Sequence, residues 1–203
     1  MPKGMTCATD NSDVPFRLLG FAADPDKASN LCGGTFARYA AAGTEVTLVC
    51  AAAHEWSSLD RTAVARQLGS GNLVQLDYGV GELTAAGLEG VFADVMQSVR
   101  PHVVVAEGSH PGVREATISA YSVVRRRAGG SAALPAKLYV RSPAGPGTVA
   151  VTTAISVGTA PAPELFVRLF PNPWVTGVLE RDLFAGLSAD PGTASTLTER
   201  LAS

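Results

Sequence analysis

LLGFAADPDKASNLCGGTFARYAAAGTEVTLVCA, residues 18–51, decides the fold. The apolar run RLLGFA at 17–22 is too short for a helix and too continuous for a loop, so it reads as a buried strand. A polar loop, 23–30, separates it from LCGGTFARYAAA at 31–42, a helix closed by Gly43 as its C-cap. EVTLVCA at 45–51 is a second buried strand. A strand, a helix and a strand over this length make a βαβ unit, whose strands lie parallel.

The alternation continues beyond this unit. The pattern predicts a helix at 58–68, a strand at 72–76 and a long helix at 83–100. That helix carries Leu88, Val91, Phe92, Val95 and Val99 on one stripe and is ended by Pro101. A strand at 103–106, a helix at 113–127 and strands at 137–141 and 148–155 follow. The predicted class is α/β: a Rossmann-like three-layer sandwich with a mostly parallel sheet and helices on both faces. In such sheets ligands bind beyond the carboxyl ends of the strands, where the strand order reverses. With the first strand central and the fourth beside it, the loops 23–30 and 107–112 converge there. After Ile155 the alternation fades into the linker GTAPAP (158–163) and the breaker PNP (171–173), and 179–187 reads as a short packed element. The predicted organisation is a lead-in of flexible chain at 1–14, one domain at 15–187 and a tail at 188–203.

Composition narrows the partners. The chain has 203 residues, 46% of them hydrophobic, and a formal charge of −2, which argues against the basic footprint that nucleic acid requires. No apolar run approaches the roughly 20 residues of a membrane span, and the opening MPKGMTCATDNSD has no signal-peptide core. A cytoplasmic protein with a small-molecule substrate, and with no nucleic-acid or membrane partner, is expected. Arginine far exceeds lysine, and Ala, Gly and Val are abundant, as in a GC-rich bacterial genome. Cys7, Cys32 and Cys50 form no metal or redox pattern; Cys32 and Cys50 read as small core residues. Gly33–Gly34 belongs to no G-x-G-x-x-G or P-loop signature, so no nucleotide cofactor is expected.

Residues 18–51 resemble the opening of the PIG-L/LmbE-like N-acetylglucosamine deacetylase family: a strand, an A-H-P-D-D-E loop, a G-G-T-L-A-R-Y-A helix and a V-T-L-V strand. Gly33, Gly34, Thr35, Ala37, Arg38, Tyr39 and Ala40 match that helix. PHVVVAEGSHPGVREA (101–116) is similar to the family's P-D-V-V-V…H-P-D-H-R-A block, and ERDLFAGL (180–187) to a common bacterial ending. The resemblance covers most of the chain and implies the same fold, in a degenerate member that lacks the zinc ligands.

Aligned without gaps from Gly33, the family's histidine ligand falls on Asp24 and its general-base aspartate on Asp26. Its aspartate ligand falls on Lys27. In the second block its electrostatic histidine falls on His110, an aspartate on Gly112 and its third zinc ligand on Val113. Zinc needs about three protein ligands from His, Cys, Asp or Glu; Lys27 repels it and Val113 has no lone pair. No cofactor is therefore expected. A helix that follows the family's sixth strand is missing here, which reshapes one pocket wall and allows a homo-oligomer through the face it leaves.

What the resemblance leaves is acid–base chemistry, with Asp26 and His110 as catalytic groups. Lys27 is either a fixed positive charge in place of the ion or the partner of Asp24 or Asp26 in a salt bridge. Asp24, His54, Glu55 and Trp56 are candidate substrate-binding residues; for Asp24, pairing with Lys27 is the expected arrangement. Glu107 is expected as a solvated loop acid, and His102 lies at the wrong end of its strand for the pocket. The expected function is a repurposed, zinc-independent enzyme carrying out a cyclisation, elimination, isomerisation or rearrangement of a small molecule in bacterial natural-product biosynthesis. Two alternatives stand beside it: a metal-dependent amide hydrolase with a site rebuilt from Asp24, Asp26 and His110, and a noncatalytic binding or partner protein.

Overall fold

The computed structural model describes residues 14–24, 27–28, 32–53, 72–129, 134–141, 149–151, 164–170, 183–184 and 187. The strands are β1 (Arg17–Ala22), β2 (Glu45–Ala52), β3 (Asn72–Tyr78), β4 (Val103–Glu107), β5 (Lys137–Arg141), β6 (Val149–Val151) and β7 (Glu164–Phe170). The helices are α1 (Ala37–Ala41), entered through a π-helical turn at Cys32–Phe36, then α2 (Ala85–Val99) and α3 (Pro111–Ala128). The predicted helix at 58–68 lies outside the described residues. Among the described residues no helix is long and apolar enough to cross a membrane.

The strands form one sheet in the order β3-β2-β1-β4-β5-β7-β6. β1 pairs in parallel with β2 on one side and β4 on the other, and β3 and β5 extend the parallel set outward. The α/β class with a mostly parallel sheet, and β1 at the reversal of strand order, are as the alternation predicts. β7 departs from the reading: it inserts antiparallel between β5 and β6. No helix signal announces it, and ELFVRLF is apolar at odd and even positions alike, so neither helical nor strand period stands out.

Successive side chains of a strand point to opposite faces, and the core divides accordingly. Leu19, Phe21 and Val104 join Leu88, Phe92, Met96, Val113, Ala120 and Tyr121 of α2 and α3 on one face. Phe21 stacks on Phe92 with ring centroids 4.1 Å apart. Leu18, Ala22, Val103 and Val105 join Phe36, Tyr139, Leu183 and Phe184 on the other. The packed element expected near 179–187 is seen at Leu183, whose N–H donates to Tyr39 Oη at 2.8 Å while its carbonyl accepts from Tyr139 Oη at 3.4 Å.

Helix ends follow local chemistry. Thr84 caps α2, its hydroxyl accepting from Gly87 N at 3.2 Å. Arg100, at φ 48°, ends it in the left-handed region just before Pro101. α3 begins at Pro111, two residues before the predicted start, because proline fits the first helical turn, where its missing N–H has no intrahelical partner to lose.

Candidate functional site

The loops leaving β1 and β4 rise side by side at the switch point, since Phe21 pairs with Ala106 in register. Both loops begin a helical turn in the same way. In the first, Asp24 Oδ1 accepts from Lys27 N at 2.9 Å and the Asp24 carbonyl accepts from Ala28 N at 2.9 Å. In the second, His110 Nδ1 accepts from Val113 N at 3.4 Å and the His110 carbonyl accepts from Arg114 N at 3.0 Å. Each capping residue precedes a proline in the sequence, Pro25 or Pro111. A polar side chain that caps a helical turn satisfies a donor that the helix cannot satisfy itself. The sequence thus plants a carboxylate and an imidazole at adjacent strand ends by one local device.

The second loop is held tightly. Glu107, the last residue of β4, is 4% exposed. Its carboxylate accepts from Ser109 N and, at 3.2 Å, from His110 N. A Cβ on Gly108 would run into the carbonyl oxygen of Arg141, and one on Gly112 into that of Leu83. Both positions therefore require glycine for close backbone approach. Glu107 is a buried cap and not the solvated loop acid that the sequence suggests, because the turn supplies backbone donors in place of water.

His110 is half-buried, and among the described residues no group meets its Nε2. With Nδ1 accepting a hydrogen bond, the neutral ring carries its proton on Nε2, leaving that N–H as the donor it can offer a ligand. Lys27 is also half-buried, and among the described residues its ammonium makes no ion pair. The expected pairing of Asp24 with Lys27 takes a different form: the carboxylate meets the Lys27 main chain, not its ammonium. Cys50, beneath this loop, is buried and free, its Sγ 3.9 Å from the Ala23 carbonyl. Burial pushes its thiol up to about 12; a backbone hydrogen bond at Ala52 works against this and the Asp24 carboxylate adds to it. It is a core residue with no thiolate to offer, as its sequence neighbours suggest. Asp26, His54, Glu55 and Trp56 lie outside the described residues.

The described residues do not fit a zinc ion held as the resemblance implies. Val113, at the third ligand position, is 0% exposed and packed in the core with Leu83 and Leu88. Lys27 brings a positive charge to the second position. Among the described residues no group of three or more His, Cys, Asp or Glu side chains is arranged to hold a metal. A depression of about 410 Å³ lies at the other end of the sheet, lined by Arg17, Glu45, Thr47, Asn72, Ser98 and neighbours. It shares no residue with the switch-point loops, and ligands of open α/β sheets bind at the carboxyl ends. The predicted set had Asp24, Lys27 and His110 but not Glu107, Gly108 or Gly112. A glutamate three residues before a histidine–proline pair, with glycine on either side, was the available signal.

No family model matches the chain, and no curated protein sequence matches it. Among solved structures, the chain is similar to the conserved protein TT1542 from Thermus thermophilus, with a TM-score of 0.49 and 25% identity over 64% of this chain and 69% of that one. It is similar to the 4-carboxy-2-hydroxymuconate hydratase of Pseudomonas putida, with a TM-score of 0.44 and 18% identity over 63% of this chain and 66% of that one. It is also similar to the N,N'-diacetylchitobiose deacetylase of Pyrococcus horikoshii, with a TM-score of 0.42 and 22% identity over 56% of this chain and 51% of that one. These are partial likenesses of chain path, spanning between half and about two-thirds of each of those proteins.

Proposed function

We propose that this chain is an enzyme that rearranges, cyclises, isomerises or eliminates from a small molecule by acid–base chemistry, without zinc, at the carboxyl ends of β1 and β4. The observation that carries the reading is His110, fixed as the cap of α3 with Nδ1 engaged and with no described group on Nε2. In the proposed step Asp26 takes a proton from the substrate. The His110 Nε2–H donates to the oxygen on which negative charge develops, and Lys27 holds an anionic group of the substrate. His110 keeps its proton and stabilises the developing charge by hydrogen bonding alone. The proton taken by Asp26 is delivered back to a different atom of the substrate or, in an elimination, to the departing group, so nothing is oxidised or reduced. Asp24, His54, Glu55 and Trp56 complete the proposed substrate surface. The setting is bacterial natural-product biosynthesis in the cytoplasm, with self-association as a further expectation.

The packing of Val113 in the core and the positive charge of Lys27 support a metal-independent route. The test is to incubate the wild-type chain, Asp26→Asn and His110→Ala with small-molecule extracts of a bacterial producer, with and without a chelator, and follow consumption by mass spectrometry. The reading expects a compound that the wild type consumes equally in both conditions and that neither variant consumes. Consumption that stops with chelator and returns with zinc, or that survives in both variants, overturns it.

A further inference from the structure

Glu107 ends β4 with its side chain almost wholly out of water, at 4% exposure. Desolvating a carboxylate is unfavourable unless hydrogen bonds replace the lost water. Both oxygens are matched in this way, and the two donors are consecutive: Ser109 N on Oε1 and His110 N on Oε2. These two bonds fix the backbone of the residue whose imidazole caps α3. The rest of the turn is set by contacts on either side. The His110 carbonyl accepts from Arg114 N at 3.0 Å, and Gly112 lies against the Leu83 carbonyl. His110 therefore has its N–H, its carbonyl and its Nδ1 all engaged, the first of these by Glu107.

We propose that Glu107 is a positioning residue of the site: by holding the main chain of residues 109 and 110, it keeps His110 Nδ1 on Val113 N and so holds the ring in the Nε2–H tautomer. The consequence is directional. His110 offers the substrate a donor, and an Nε2 lone pair appears only if the ring lets go of the helix. Proton abstraction then falls to another group. The proposal rests on the reading of His110 as a group of the active site, and adds what sets its chemical sense.

The test reads the ring itself. The chain has three histidines, His54, His102 and His110. Long-range ¹H–¹⁵N correlation on the labelled full chain, above the imidazole titration, gives the tautomer of each, with His110→Ala assigning the third signal. Wild type should show His110 as a single Nε2–H tautomer. In Glu107→Gln one carboxylate acceptor is replaced by an amide donor facing a backbone N–H, so His110 should lose that single tautomer and show averaged ring-nitrogen shifts, with His102 unchanged. A folded Glu107→Gln protein with the wild-type His110 signature overturns the proposal, as does an Nδ1–H tautomer in the wild type. If Glu107→Gln does not fold, amide exchange on the wild type decides. Slowed exchange at both Ser109 and His110 supports the proposal, and exchange at unstructured-peptide rates at either overturns it. Turnover enters none of these readouts. A tautomer that responds to Glu107 while His110→Ala keeps full activity removes the catalytic reading alone, and a tautomer indifferent to Glu107 while His110→Ala is inactive removes this proposal alone.

Discussion

Two histidines stand at the two ends of β4, and each accepts a backbone N–H on Nδ1. His102, at the amino end, takes Arg17 N at 3.1 Å, is 1% exposed and meets the Phe16 ring edge-on at a centroid distance of 5.3 Å. Its own N–H donates to the Arg17 carbonyl and its carbonyl accepts from Ala136 N, so it ties β1, β4 and the entry to β5 together. Arg17 Nε adds a bond to the Arg100 carbonyl at the end of α2. His110, at the carboxyl end, caps a helix with the same nitrogen, but its ring is only half-buried and no described group meets Nε2. One end of the sheet uses its imidazole to close the structure; the other holds an imidazole in place and leaves part of it open. Burial separates the two, not the residue type.

The contrast is broken most directly by removing each ring. His110→Ala should lower turnover of the substrate found as above by about 10²–10⁴-fold, while costing stability only about 1 kcal/mol, the worth of a helix cap. His102→Ala should do the reverse: a loss of about 2–3 kcal/mol in denaturant unfolding, because a buried ring is removed and the part-buried Arg17 N loses its acceptor, with turnover at saturating substrate retained in the folded fraction. Equal effects of the two variants on stability would end the distinction.

Smaller changes sharpen it. Gly112→Ala places a methyl against the Leu83 carbonyl and should cost about 1–3 kcal/mol, read as a drop in Tm; Gly90→Ala, exposed on α2 with nothing near its added methyl, should instead add about 0.5–1 kcal/mol. Cys50 bears on the floor of the carboxyl end. Its folded thiol titrates near 12 against an ordinary 9.0, so its contribution to stability is complete below about pH 9 and is lost as pH rises towards 12. Cys50→Ala should flatten that decline in chemical denaturation. In the native protein, mass spectrometry should find the Cys50 peptide unalkylated at pH 8, and rapid alkylation there would contradict the burial of this floor.

The parallel half of the fold was legible because β1, β2 and β4 carry short, largely apolar runs, and Leu88, Phe92 and Met96 recur at helical spacing. β7 was not, because ELFVRLF follows no helix and shows no clear period. Of the site, Asp24, Lys27 and His110 could be placed at the switch point from strand order alone. Their bonding could not: Asp24 turns to a main-chain N–H where charge suggested an ammonium, and Glu107 reads as an exposed acid until the loop folds two donors onto it. The start of α3 was written in His110–Pro111, a cap followed by a first-turn proline, and the glycine at 112 hid it.

Acid–base chemistry without a metal is tested most directly by elemental mass spectrometry on the full chain purified with neither added metal nor chelator. Less than about a tenth of an equivalent of zinc or any other transition metal is expected, because a tight site needs about three ligands. Close to one equivalent, retained through gel filtration, would contradict it and make metal-dependent amide hydrolysis the leading activity.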